Sequence, residues 1–165
     1  LGITTGTQPV LAVNYGARNT ALIKRAEKTI VLLCLCFTTL MFALSWGIAK
    51  PFVSLFTSDA VIAQNSVSGI RKYMIGIIPL ALQYAFVDGL TGLGQPKFAF
   101  TLSITRKLVL LLSLTFALPA LFGVSAVFYA EPAAVIGSAI VSTITFLCVI
   151  GKILKKREES TQNIV

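Results

Sequence analysis

Four stretches of this chain are too long and too apolar for a water-soluble fold. Residues 30–48 form nineteen positions without a charge, and residues 73–96 carry only Asp88. Residues 108–130 and 132–151 carry no charge, with Glu131 between them. A hydrocarbon core about 30 Å thick takes about 20 apolar residues as helix, so each stretch is long enough to cross. Charged residues make up 12% of the chain, about half of what soluble domains carry. The fold class is therefore all-α, a polytopic transmembrane helix bundle.

The net charge of +8 raises nucleic acid as a partner, but its placement argues against that. Basic residues lie between the apolar stretches and in the tail at Lys152, Lys155, Lys156 and Arg157, as they do in cytoplasmic loops. No basic face with interleaved aromatics is present, so no nucleic-acid partner is expected. Cys34, Cys36 and Cys148 lie in apolar runs, where cysteine behaves as a small hydrophobe. The chain has no histidine, and no nucleophile–base pair, metal set or cofactor fingerprint stands out. No enzyme activity, resident metal or cofactor is expected.

Along the chain, spans are expected at about 1–15, 29–49, 73–94, 98–121 and 126–152, together forming one unit over 1–156, with a cytoplasmic tail at 157–165. Gly2 and Gly6 have the spacing that lets a neighbouring helix come close. Lys50 and Pro51 are expected to end the second helix. Residues 51–72 read as an amphipathic surface segment, with Ser58 or Asp59 capping its helix. Pro79 predicts a kink in the third span, and residues 94–97 a turn. Arg106 and Lys107 are expected to anchor at the interface. Glu131, followed by Pro132, is expected near the outer end of the last helix, where the helix N-terminus favours an acid. Trp46 and Tyr73 sit near span ends as belt residues.

Orientation follows from the cations. With the C-terminus cytoplasmic, eleven basic residues fall on that side, and only Lys50, Arg71 and Lys72 on the other. That is a positive-inside bias, and the expected location is the cell membrane, multi-pass, with membrane lipids as partners.

Gly6-Thr7-Gln8-Pro9 followed by Asn14-Tyr15-Gly16-Ala17-Arg18-Asn19 resembles the "G-x-Q-P … N-Y-G-A-[KR]-N" stretch of the multidrug and toxic compound extrusion (MATE) transporters. Three further stretches fit in the same order. They are Leu55-Phe56-Thr57-Ser58-Asp59, Gly92-Leu93-Gly94-Gln95-Pro96, and Phe122-Gly123-Val124 with Ala130-Glu131-Pro132. Ser125-Ala126 stands where the last pattern usually has a glycine. The resemblance covers residues 2–156. It implies part of helix eight and all of helices nine to twelve, a partial C-terminal six-helix lobe of a two-lobed transporter. The chain, beginning mid-run at Leu1, is expected to be a C-terminal piece that cannot transport alone, its partner being the N-terminal lobe.

The resemblance implies export of small organic cations, driven by inward sodium or protons, the coupling ion being the only cofactor. In sodium-coupled members a tyrosine and an aspartate one turn apart on the tenth helix help form the cation site. Tyr84 and Asp88 stand at that spacing, and the resemblance assigns them that role. The acid of the seventh helix that completes the site is not in this chain.

The residues support that reading in their own terms. A carboxylate at membrane depth costs about 2.5–3.5 kcal/mol on insertion scales and generally marks an ion or proton path. The bland alternative has Asp88 hydrogen-bonding Thr91 or backbone near a helix end. Hard oxygens suit sodium, and a carboxyl can equally carry a proton. Gln83 and Asn14 are polar residues that glue helices or line a cavity. Phe86 is an aromatic that can contact a cationic drug, although packing is the commoner role. Two other functions fit the architecture. A lipid-linked oligosaccharide flippase calls for several cations inside the spans, and a non-transporting scaffold subunit would not depend on Asp88.

Overall fold

The computed structural model describes the backbone of residues 1–162 and the side chains through residue 155. Helix α1 (Gly2–Gly16) leads through a short connector into α2 (Thr20–Ser54). A four-helix run follows: α3 (Ala60–Met74), α4 (Ile77–Gly92), α5 (Pro96–Ile104) and, after a π-helical segment (Thr105–Leu111), α6 (Leu112–Phe122). A 3₁₀ turn (Val124–Tyr129) precedes α7 (Ala130–Gln162). Thr20–Ser54, Ala60–Gly92, Pro96–Phe122 and Val124–Lys155 are each long and apolar enough to cross a membrane. The protein is a multi-pass helical membrane protein.

Several boundaries differ from those expected. Helix α2 starts in the basic connector and runs on through Pro51 to Ser54, instead of ending at Lys50. Asn19 accepts from Leu22 N–H at the start, and the cap recruits the connector into the helix. The third span breaks before Pro79 rather than bending at it. Proline at 79 cannot donate to the Ile75 carbonyl and its ring crowds that group, so α3 stops at Met74 and α4 restarts at Ile77. Pro132 lies in the first turn of α7, where proline is tolerated. Past Lys152 the backbone stays helical to Gln162; residues 163–165 lie outside the described residues.

Asp59 rather than Ser58 caps α3. Its carboxylate accepts from the Val61 and Ile62 N–H groups at 2.8 and 3.1 Å. Asp59→Ala is expected to lower stability by about 1 kcal/mol, read from chemical unfolding in detergent; an unchanged midpoint would rule the cap out as a contributor.

The core lies where α1, α2, α4 and α7 meet. Leu11, Ile23, Ile30, Leu90 and Leu93 are buried there, and Phe86 packs on Phe146 with ring centroids 4.7 Å apart. Close approach of α1 to α4 depends on Gly92, since a Cβ there would sit 3.1 Å from Leu11 Cβ and 3.2 Å from the Gln8 carbonyl oxygen. Gly2 and Gly6, by contrast, have nothing within 4 Å of where a Cβ would point, so that small-residue pair faces no helix among the described residues. Gly94 takes φ +70° and turns the chain from α4 into α5, a conformation that costs glycine nothing.

Burial differs sharply between spans. The α3–α4 and α7 windows are covered over 39% and 33% of their residues, those of α2 and α5–α6 over only 11% and 6%. Large side chains such as Leu32, Phe37, Phe100, Phe116 and Leu147 are left exposed. Outward apolar faces of this kind are stable in lipid, where no hydrophobic penalty attaches to them.

Candidate functional site

Helix α4 organises the polar residues of the bundle. It carries Gln83, Tyr84, Phe86 and Asp88 within two turns, and it touches α1, α2, α5 and α7, so side chains on different sides of it meet different neighbours.

On one side Tyr84 meets a membrane ion pair. Arg106 Nη2 donates to Glu131 Oε1 at 2.8 Å, and the Arg106 guanidinium carbon lies 5.6 Å from the Tyr84 ring centroid. Arg106 is 8% exposed, so it is not the interface anchor expected of it. Glu131 stands in the first turn of α7 as expected, and there it is the counter-ion of Arg106. The π-helical segment accounts for the turn inward. An i→i+5 stretch shifts the register of the helix, and Arg106 is the residue of Thr105–Leu111 that becomes buried, while Lys107 remains exposed. A cavity of about 450 Å³ opens beside this pair, with Gln83, Tyr84, Phe100, Ser103 and Arg106 in its walls. A second, of about 410 Å³, lies between Tyr84, Thr4, Cys34 and Thr38. Tyr84 borders both.

One turn on, Asp88 Oδ2 is buried without a hydrogen-bond partner among the described residues. The Thr91 hydroxyl, the partner that a purely structural role for Asp88 would use, donates instead to the Val87 carbonyl at 3.1 Å. No hydrogen bond joins Tyr84 to Asp88, although both stand on α4 as their spacing requires.

The remaining expected residues separate. Gln83 is 3% exposed, its Oε1 has no partner among the described residues, and it lines the cavity of about 450 Å³. Phe86 is engaged in the core against Phe146 and is a packing residue within this bundle. Asn14 sits on α1, and its amide donates to the Val10 carbonyl of its own helix at 2.8 Å.

Sequence reasoning missed Glu27. It lies among Lys24, Arg25 and Lys28 and reads as one more charge of a basic connector. In the structure those cations are exposed, whereas Glu27 is 5% exposed and neither carboxylate oxygen has a partner among the described residues. The signal was present in the periodicity. Ile23, Glu27, Ile30 and Cys34 follow helical spacing, and all four are the buried residues of that part of α2, which places an acid on the apolar stripe.

The comparisons with known proteins agree with this architecture. The structure of the Vibrio cholerae MATE transporter VcmN in its bent form superposes with a TM-score of 0.80 at 19% identity, over 93% of this chain and 34% of that one. An outward-facing multidrug resistance MATE family transporter of the MOP superfamily superposes with a TM-score of 0.86 at 21% identity, over 94% of this chain and 35% of that one. At such identities the likeness is one of fold, and the chain spans about a third of the length of each structure. No curated protein sequence matches it significantly. The MatE family signature matches residues 1–117, well over half of the 165 residues, and the chain belongs to the MatE family.

Proposed function

We propose that this chain is the C-terminal part of a cation-coupled multidrug exporter. It works with an N-terminal lobe, moves organic cations by alternating access, and uses an inward sodium or proton gradient. Asp88 carries the coupling, with Tyr84 one turn before it. The observation that supports this most directly is the buried, partnerless Asp88 Oδ2 on the helix that joins the bundle together. An acid retained in such a place is costly unless an ion visits it. Membership of the MatE family, and the multidrug transporter among the structural relatives, point the same way. The C-terminus lies in the cytoplasm on this reading, the side that the positive-inside bias selects.

A lipid-linked oligosaccharide flippase fits less well. It needs free cations inside the spans for anionic headgroups, and the buried guanidinium of Arg106 is already paired with Glu131. A scaffold without transport offers no reason for a carboxylate oxygen buried without a hydrogen bond among the described residues.

The test is efflux of a fluorescent organic cation from vesicles holding the full-length protein, wild type beside Asp88→Asn, under imposed sodium and proton gradients separately. Efflux by the variant is expected to fall to that of protein-free vesicles at equal protein level, and the gradient that drives the wild type names the ion. Normal efflux by Asp88→Asn would remove this acid from the coupling step.

A further inference from the structure

Glu27 and Asp88 approach one another across the α2–α4 contact. The Glu27 carboxylate lies directly over Gly89, because a Cβ added there would fall 2.7 Å from Oε1 and 2.9 Å from Oε2. Asp88 is the adjacent residue of α4. Both carry buried oxygens without a hydrogen-bond partner among the described residues. Among the described residues no ion pair reaches either acid, and of the cations on α5 and α7, Lys97, Lys152 and Lys155 are exposed. Lys24, Arg25 and Lys28 on α2 are exposed, α1 carries no charged residue, and α3 meets α2 at its far end around Ala49, Val53 and Val67.

Two acids in this position are unfavourable as they stand. A buried charge without a counter-charge or hydrogen bonds is among the costliest arrangements in a protein, and a second like charge beside it adds to the cost. A packed core removes such a residue unless something positive enters. The absence of a side chain at position 89 leaves room for the carboxylate to lie flat against α4.

We propose that Glu27 and Asp88 form a two-carboxylate site for one monovalent cation, a sodium ion or a proton, at the α2–α4 junction. Glu27 then supplies from within this chain a second acid for the coupling site. The inference rests on the reading of Asp88 as the coupling acid and adds to it a residue and a place. Hard carboxylate oxygens suit a sodium ion, and a proton shared between two carboxyls offsets the same charge.

The test uses purified full-length protein in detergent, as wild type, Glu27→Gln, Asp88→Asn and Gly89→Ala, each checked for unchanged thermal unfolding. Glu27→Gln keeps the side-chain shape. Gly89→Ala keeps both acids but pushes the flexible end of Glu27 away, so it reports on position rather than charge. Sodium binding is measured by calorimetric titration. Protonation is measured in parallel from the infrared carbonyl stretch of neutral carboxyl groups.

If sodium is the occupant, Glu27→Gln and Gly89→Ala weaken its binding about tenfold or more, as expected for loss of one contact to a charged group. If a proton is the occupant, sodium does not bind, and a neutral-carboxyl band present in the wild type is lost in Glu27→Gln and shifted in Gly89→Ala. Should both signals survive Glu27→Gln unchanged, the two-acid site is wrong. The efflux of Asp88→Asn decides the coupling role of that residue separately. Loss of efflux there, with Glu27→Gln silent, leaves Asp88 acting without Glu27; normal efflux there removes the coupling role instead.

Discussion

Replacing Arg106 with methionine is expected to lower the free energy of unfolding by about 3–5 kcal/mol, the usual cost of stranding one member of a buried ion pair. The variant leaves Glu131 charged beside the Tyr84 cavity, with its 2.8 Å partner gone. The side chains of Arg106 and Glu131 are 9% and 18% exposed, so water cannot replace the guanidinium at low cost. The loss comes from the stranded charge and not from the net value of the pair, which desolvation largely offsets. The double replacement Arg106→Met with Glu131→Leu is accordingly expected to recover most of the stability. Unfolding in detergent micelles, monitored through the four proteins of the double-mutant cycle, checks both statements. A cost for Arg106→Met below about 1 kcal/mol, the range of exposed pairs, would show that the pair is hydrated. The cycle also separates stability from transport. If the stable double variant still exports, the ion pair is a brace between the π-helical segment and α7, and Tyr84 needs no guanidinium above its ring to function.

Gly92→Val is the second large effect expected. Helix α1 lies against α4 at this point, and even a Cβ would come within 3.1 Å of Leu11 and 3.2 Å of a backbone oxygen at Gln8. The alanine variant asks the neighbours to yield by a few tenths of an ångström. Valine adds two methyl groups that only a separation of the helices can hold. Overpacking of this sort costs about 1–3 kcal/mol, and here it also disturbs Leu11 and Leu93, two of the most buried side chains of the core. Unfolding midpoints for Gly92→Ala and Gly92→Val should fall in that order. Two variants as stable as the wild type would show that α1 is not held tightly on α4.

Both effects come from contacts that no local reading reveals, and the same division runs through the rest of the molecule. Membrane class and all-helical fold were legible in the chain, because a bilayer demands long apolar helices and tolerates little else. The turn at Gly94 was legible from its glycine and following proline, and the α3 cap from the Thr57-Ser58-Asp59 run. Asp88 stood out because a charge alone in an apolar run is visible without any fold. Helix ends were less legible. The extension of α2 through Pro51 and the break ahead of Pro79 were set by capping and by which carbonyl lost its donor, details finer than an apolar run resolves.

The functional residues divide in the same way. Gln83, Tyr84 and Asp88 share a helix, so their spacing could be read directly, while their partners could not. Arg106 and Glu131 are 25 residues apart, and each resembled an interface residue until the two helices brought them together. Glu27 looked like part of a solvated basic connector. What the sequence by itself determined was that this chain lives in a bilayer as helices and holds an acid on the third of the expected spans. Only the tertiary structure decided which charges meet, because pairing depends on the face each helix turns to its neighbours. It turned Arg106 onto Glu131, which neutralises both, and it turned Glu27 onto Gly89 beside Asp88, two acids with no ion-pair partner among the described residues.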